Sequence, residues 1–156
     1  MRILFVCTGN TCRSAMAAAL ARRTLADMPL EGVRAEIVSA GLAAMPGDVA
    51  SNGAVTVLRE RGLDLSGHSS SLLTRRDVER ADLVLAMTSG HREALCRLAP
   101  AHAGKIHTLA QYAGASGDVP DPFGRDIDAY RRVAALLEEL VAAALRRFGN
   151  ERGGLK

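Results

Sequence analysis

Four apolar residues, Ile3-Leu4-Phe5-Val6, run straight into the polar stretch Cys7-Thr8-Gly9-Asn10-Thr11-Cys12-Arg13-Ser14, and that into alanine-rich residues 15–23. The first segment reads as a buried strand and the last as a strong helix former. The alternation continues along the chain. Strand-like runs fall at 2–6, 35–39, 82–86 and 105–108, with helical stretches near 14–27, 49–61 and 91–98 between them. Such an order predicts an α/β fold with parallel strands, crossover helices and a ligand at the C-terminal ends of the strands.

The last helix has the clearest period. Ile127, Tyr130, Ala134, Leu137, Val141, Ala144 and Phe148 step by threes and fours, a stripe that packs on a core and gives Tyr130 a structural role. Gly149 reads as its stop. There is no internal repeat and no linker, so the expectation is one domain over residues 1–150, with 151–156 a disordered, frayed tail.

The polar stretch carries the chemistry. Cys7 stands at a strand-to-helix turn, where free backbone N–H groups and the helix dipole favour an anion. Arg13 offers a planar fork of donors that suits phosphate oxygens. A Cys-x5-Arg spacing alone is weak, and the remaining residues give it specificity. Gly9 is expected to take dihedrals that a Cβ would penalise. Asn10 tolerates left-handed geometry, and Ser14 brings a hydroxyl near the sulfur. Together they point to a thiol that attacks phosphorus and forms a phosphocysteine.

Bulk properties narrow the class. A charge of +3 from 20 Lys+Arg against 17 Asp+Glu, spread along the chain, gives no nucleic-acid footprint. The first apolar run is too short for a signal peptide, and no stretch approaches membrane-spanning length. Three cysteines make a poor disulfide framework and suggest a reducing compartment, the cytoplasm. His68, His91, His102 and His107 show no ligand spacing with acids or cysteines, so neither metal nor cofactor is expected. A general acid is still required. Asp121, between Pro120 and Pro122, is the best candidate; an ordinary Asp-Pro turn is the competing reading. Asp118 reads as a turn residue.

The stretch Cys7-x-Gly9-Asn10-x-Cys12-Arg13-Ser14 resembles the phosphate loop of the low-molecular-weight protein tyrosine phosphatases. Ser39-Ala40-Gly41, Asp64-Leu65-Ser66-Gly67-His68, Ala81-Asp82-Leu83-Val84-Leu85-Ala86-Met87-Thr88 and Asp121-Pro122-Phe123-Gly124 resemble further family segments, in family order. The resemblance implies a single domain with a four-stranded parallel sheet and helices on both faces. It implies Cys7, Arg13 and Asp121 as catalytic residues, and Thr8, Gly9, Asn10, Thr11, Cys12, Ser14 and Phe123 as phosphate- and substrate-binding. Ser39 and His68 would support the loop through Asn10, and Cys12 would serve as a resolving thiol for Cys7 under oxidation. Cys96 reads as core. Many members carry proline after the loop serine, where this chain has Ala15; proline there helps a helix start and is not required.

Thr11 bears on substrate. Tyrosine-specific members commonly have an aliphatic residue there, and the loop together with Gly-Asp-Val-x-Asp-Pro-Phe-Gly is most similar to the bacterial protein-arginine phosphatases of the family. The expected partners are phosphorylated proteins, the expected state a monomer, and phosphoarginine is preferred over phosphotyrosine. Arsenate reductases share the fold but need a second cysteine pair late in the chain, where only Cys96 occurs. Phosphocarriers with a loop cysteine lack the loop arginine.

Overall fold

The computed structural model describes residues 1–154. Strand β1 (Arg2–Cys7) forms from the apolar run and is buried from Ile3 to Cys7. It lies inside a four-stranded sheet of order β2-β1-β3-β4, with β2 at Glu36–Gly41, β3 at Leu83–Ala86 and β4 at Ile106–Thr108. All pairs are parallel, and Leu4 stands opposite Val38 on one side and Val84 on the other. A central parallel strand is covered on both faces, which explains why its sequence is apolar without alternation.

Alternate residues of β1 enter two cores. Ile3, Phe5 and Cys7 pack with α1 (Arg13–Asp27), α2 (Asn52–Glu60) and α6 (Ile127–Gly149). Leu4 and Val6 pack with Val78 of α3 (Arg75–Arg80) and Leu95 of α4 (Ser89–Leu98). A single-turn α5 (Leu109–Tyr112) follows β4, and a 3-10 turn spans Pro100–Lys105. The helices therefore cover both faces, as the family resemblance implies. Cys96, in α4, is partly buried against the second core.

Three expectations change. The helix foreseen from residue 49 begins at Asn52, because Ser51 is its extended N-cap; Val49 stays highly exposed. Gly149 does not act as a left-handed stop. It is buried where a Cβ would sit 3.0 Å from Leu30, and the chain continues into a π-helical turn over Asn150–Gly154. Glu151, expected in a frayed tail, accepts from Tyr112 Oη at 2.7 Å and from Arg147 Nε at 2.7 Å. Positions 155 and 156 of that expected tail lie outside the described residues. Tyr112 is pushed well above the ordinary tyrosine range by burial and by the Glu151 carboxylate.

Leu137 is fully buried on the α6 stripe. Leu137→Ala should destabilise the protein by about 2–5 kcal/mol, read as a lower urea midpoint with an unchanged m-value.

Candidate active site

β1 ends at Cys7 and α1 starts at Arg13, so the five residues between them must turn the chain at the carboxyl edge of the sheet. Asn10 makes the turn. It is the one non-glycine residue with positive φ (57°) among the described residues, and it is fully buried. Every polar atom it has is bonded. Its N–H donates to Cys7 Sγ at 3.3 Å, and its Nδ2 donates to Ser14 Oγ at 2.8 Å and to Ser39 Oγ at 3.0 Å. Its Oδ1 accepts from Ser71 N–H at 2.9 Å, and its carbonyl accepts from His68 Nε2 at 2.6 Å. Asn10, Ser39 and His68 thus meet as one polar network behind the loop. Ser71 belongs to it as well and has no sequence signal.

Gly9 corrects an expectation. Its φ is not positive, and a Cβ there would meet only Thr11 Oγ1, at 3.7 Å, so the left-handed geometry belongs to Asn10 instead. The glycine that the back of the loop requires is Gly41, at the end of β2. A Cβ there would fall 2.5 Å from Thr8 O and 3.0 Å from Asn10 N. Neighbouring amides hold the same junction: Leu42 N–H donates to Cys7 O and Ala43 N–H to Thr8 O.

The sulfur of Cys7 lies 2.8 Å from Ser14 Oγ. That oxygen already accepts from Asn10, which leaves the Ser14 proton for sulfur. The N–H groups of Thr8, Gly9, Thr11 and Cys12 have no hydrogen-bond partner among the described residues. Helix α1 adds to this donor set, because its N-cap Cys12 makes no capping bond and its first turn holds no acid. Helix α2 is uncapped too, since the Ser51 hydroxyl is occupied by Cys12 Sγ (3.0 Å) and Tyr130 Oη (3.2 Å). Tyr130, read from its stripe as structural, backs the loop from α6, and burial raises its hydroxyl pKa to about 12. Gly53 is required beneath it, as a Cβ would reach 2.5 Å from the ring. All three cysteines are free.

Arg13 is 5% exposed and is tied to the loop that carries Asp121. Its Nη1 donates to Val119 O at 3.0 Å, and its Nη2 lies 3.5 Å from Asp121 Oδ2. The other carboxylate oxygen of Asp121 accepts from Phe123 N–H at 3.0 Å. Asp118 points elsewhere, accepting from Ser89 N–H at 2.9 Å at the start of α4, as befits an anchor of the turn. The thiol, the guanidinium and the Asp121 carboxylate share a cleft of about 680 Å³, whose rim includes Met45, Val49 and Phe123. Among the described residues no three His, Cys, Asp or Glu side chains could hold a metal ion, and no helix is long and apolar enough to cross a membrane. His91, which sequence reasoning leaves aside, reaches Thr8 Oγ1 with its Nε2 at 2.8 Å across 83 residues of chain.

A thiol flanked by two donors, free amides around it and a buried arginine fork, set at the carboxyl edge of a parallel sheet, define a cysteine-dependent phosphatase. Residues 2–152 match the family described as low molecular weight phosphotyrosine protein phosphatase. A protein-arginine-phosphatase of Geobacillus stearothermophilus is 47% identical over 141 residues, 90% of each chain. One from Bacillus subtilis is 42% identical over 153 residues, 97% of this chain and 99% of the other. A solved YwlE arginine phosphatase, a cysteine-to-serine mutant with a phosphorylated active-site serine, matches with a TM-score of 0.90 at 41% identity, covering 97% of this chain and 98% of that one. The chain belongs to the low-molecular-weight phosphotyrosine protein phosphatase family.

Asn10 separates backbone from side-chain contributions. Asn10→Gly keeps the left-handed φ and loses the amide bonds; Asn10→Ala loses both. Urea unfolding should place the alanine variant about 1–2 kcal/mol below the glycine variant, with both below the wild type. Equal stabilities for the two variants would remove the backbone term.

Proposed function

We propose that the chain removes phosphate from arginine side chains of proteins, in two transfers through Cys7. In the first, the Cys7 thiolate attacks phosphorus and the P–N bond to the guanidino nitrogen breaks. Asp121 gives that nitrogen its proton. In the second, water attacks phosphorus while Asp121 takes a proton from it. The S–P bond then breaks, returning the thiolate and releasing inorganic phosphate. Arg13 and the amides of Thr8, Gly9, Thr11 and Cys12 hold the non-bridging oxygens in both transfers. Ser14 O–H and Asn10 N–H meet the sulfur as it departs, and Ser39 and His68 keep Asn10 in place. Phe123 walls the pocket. The protein would act as a monomer in the cytoplasm, where free thiols persist.

The preference for arginine is carried by Thr11. In a chain whose nearly full-length relatives bear the name protein-arginine-phosphatase, the loop has threonine at this position. Among the described residues its hydroxyl makes one hydrogen bond, a long one to Cys12 Sγ at 3.8 Å. A hydroxyl so placed in the cleft can order the attacking water or meet a guanidinium. The Asp121 side chain, 55% exposed, can pair with that cation before protonating its nitrogen. Phosphotyrosine is the second reading, favoured by the Phe123 ring, which is exposed at the rim and able to stack on a phenol.

Peptides carrying phosphoarginine or phosphotyrosine, compared by kcat/KM, decide between the two. The wild type should favour phosphoarginine, and Thr11→Ile should move the ratio about tenfold towards phosphotyrosine, a difference of ~1.4 kcal/mol. A wild type that prefers phosphotyrosine would overturn the substrate reading. Cys7→Ser should abolish turnover. Asp121→Asn should slow the first transfer most for substrates with poor leaving groups, and equal slowing for all leaving groups would remove Asp121 as the acid.

A further inference from the structure

The turn from β3 into α4 grips both halves of the site. Met87 O accepts from Val119 N–H at 2.9 Å, and Ser89 N–H donates to Asp118 Oδ1 at 2.9 Å, so the segment bearing Asp121 is tied to this turn at two points. Thr88 Oγ1 caps the helix by accepting from His91 N–H at 3.1 Å. The His91 ring then reaches across to the phosphate loop, with Nε2 2.8 Å from Thr8 Oγ1. Thr8 lines the cleft beside Cys7.

The proton on the ring can be placed by elimination. His91 Nδ1 is buried and has no hydrogen-bond partner among the described residues. A buried N–H without a partner costs more than an unfilled acceptor, so Nδ1 is the bare nitrogen and Nε2 carries the hydrogen. Nε2–H then donates to Thr8 Oγ1. The Thr8 hydroxyl, serving there as acceptor, keeps its own proton for another partner.

We propose that His91 is a positioning residue for the phosphoryl transfer: by donating to Thr8 Oγ1 it turns the Thr8 hydroxyl proton into the cleft, where it adds a side-chain donor for a phosphoryl oxygen. This rests on the reading of the Cys7 loop as the phosphate site. Thr8 thereby does through its side chain what the loop amides do through the backbone, and His91 links that donor to the turn that holds the Asp121 segment.

The charge state of the ring agrees. Burial lowers the His91 pKa, and Arg13 of α1 pushes it the same way, while Asp118 and Asp121 from the opposing loop pull it back up. With its folded pKa depressed, His91 contributes stability that is present above the ordinary histidine value of about 6.5 and lost as pH falls from there through the lowered folded value.

The test uses His91→Ala, His91→Gln, Thr8→Val and the double variant Thr8→Val/His91→Ala. Two readouts are taken: direct binding of inorganic phosphate and kcat/KM on an aryl phosphate. His91→Ala and Thr8→Val should each weaken phosphate binding and lower kcat/KM about five- to tenfold, and the double variant should be no worse than either. His91→Gln, whose amide N–H can replace Nε2–H, should recover most of the loss. It should also be less destabilised than the wild type when pH is lowered from 7.5 to 5.5. Wild-type phosphate affinity in His91→Ala, additive losses in the double variant, or a glutamine variant as impaired as alanine would each overturn the proposal. Phosphate binding is read whether or not turnover occurs, so a wild type that binds phosphate but hydrolyses nothing strikes the functional reading alone.

Discussion

Asn10 is buried with a left-handed backbone, and the loop keeps that shape because every polar atom of this residue is bonded. An L-residue resists the left-handed region by about 1–2 kcal/mol, and a buried amide without partners would add to the cost. Here the cost is offset by donors and acceptors from Ser14, Ser39, His68, Ser71 and the sulfur of Cys7 itself. Those partners come from β2, from α1 and from the segment that follows residue 67, so the loop's shape is decided by the assembled fold. The free amides that could hold a phosphate are a by-product of this arrangement. Because Asn10 turns the chain and directs its own N–H to sulfur, the amides on either side of it are left unpaired.

The second constraint is the sharing of Arg13. A buried guanidinium needs partners, and this one finds them on the segment that brings in Asp121. The fold itself thus places the guanidinium and the Asp121 carboxylate relative to each other, the preorganisation that the proposed transfer would require. The turn between β3 and α4 reinforces the pairing from the far side through Met87 and Ser89. The Cys7 loop, the Asp121 segment and the β3–α4 turn are thus fastened to one another by hydrogen bonds beside the cleft.

Much of this is legible in the sequence, and the illegible parts share a cause. β1 is readable because a central parallel strand must be apolar throughout, and α6 because its stripe repeats for six turns. Helix α3 escapes a search for apolar period: Val78 is its only buried residue, and the rest of it is charged. Its signal lies in Thr74 and Asp77, which form a capping box that is easily passed over. Gly9 and Asn10 show the limit inside a motif. Either could have supplied the left-handed turn, and only the bonded partners of Asn10 decide it. Ser71 and His91 act on the loop from 61 and 83 residues away, and contacts of that span leave no spacing to read. Gly149 fails for a related reason, since its neighbour is Leu30 on a distant loop.

Gly41 leaves no room between the end of β2 and the back of the loop, so the loop can neither lengthen nor slide without displacing the sheet. Innovation is therefore confined to side chains that fasten nothing: Thr11 in the cleft, and Met45, Val49 and Phe123 around its mouth. On the proposed reading, exchanges at the entrance would alter which phosphorylated residue fits the cleft, while the loop around the sulfur keeps its shape.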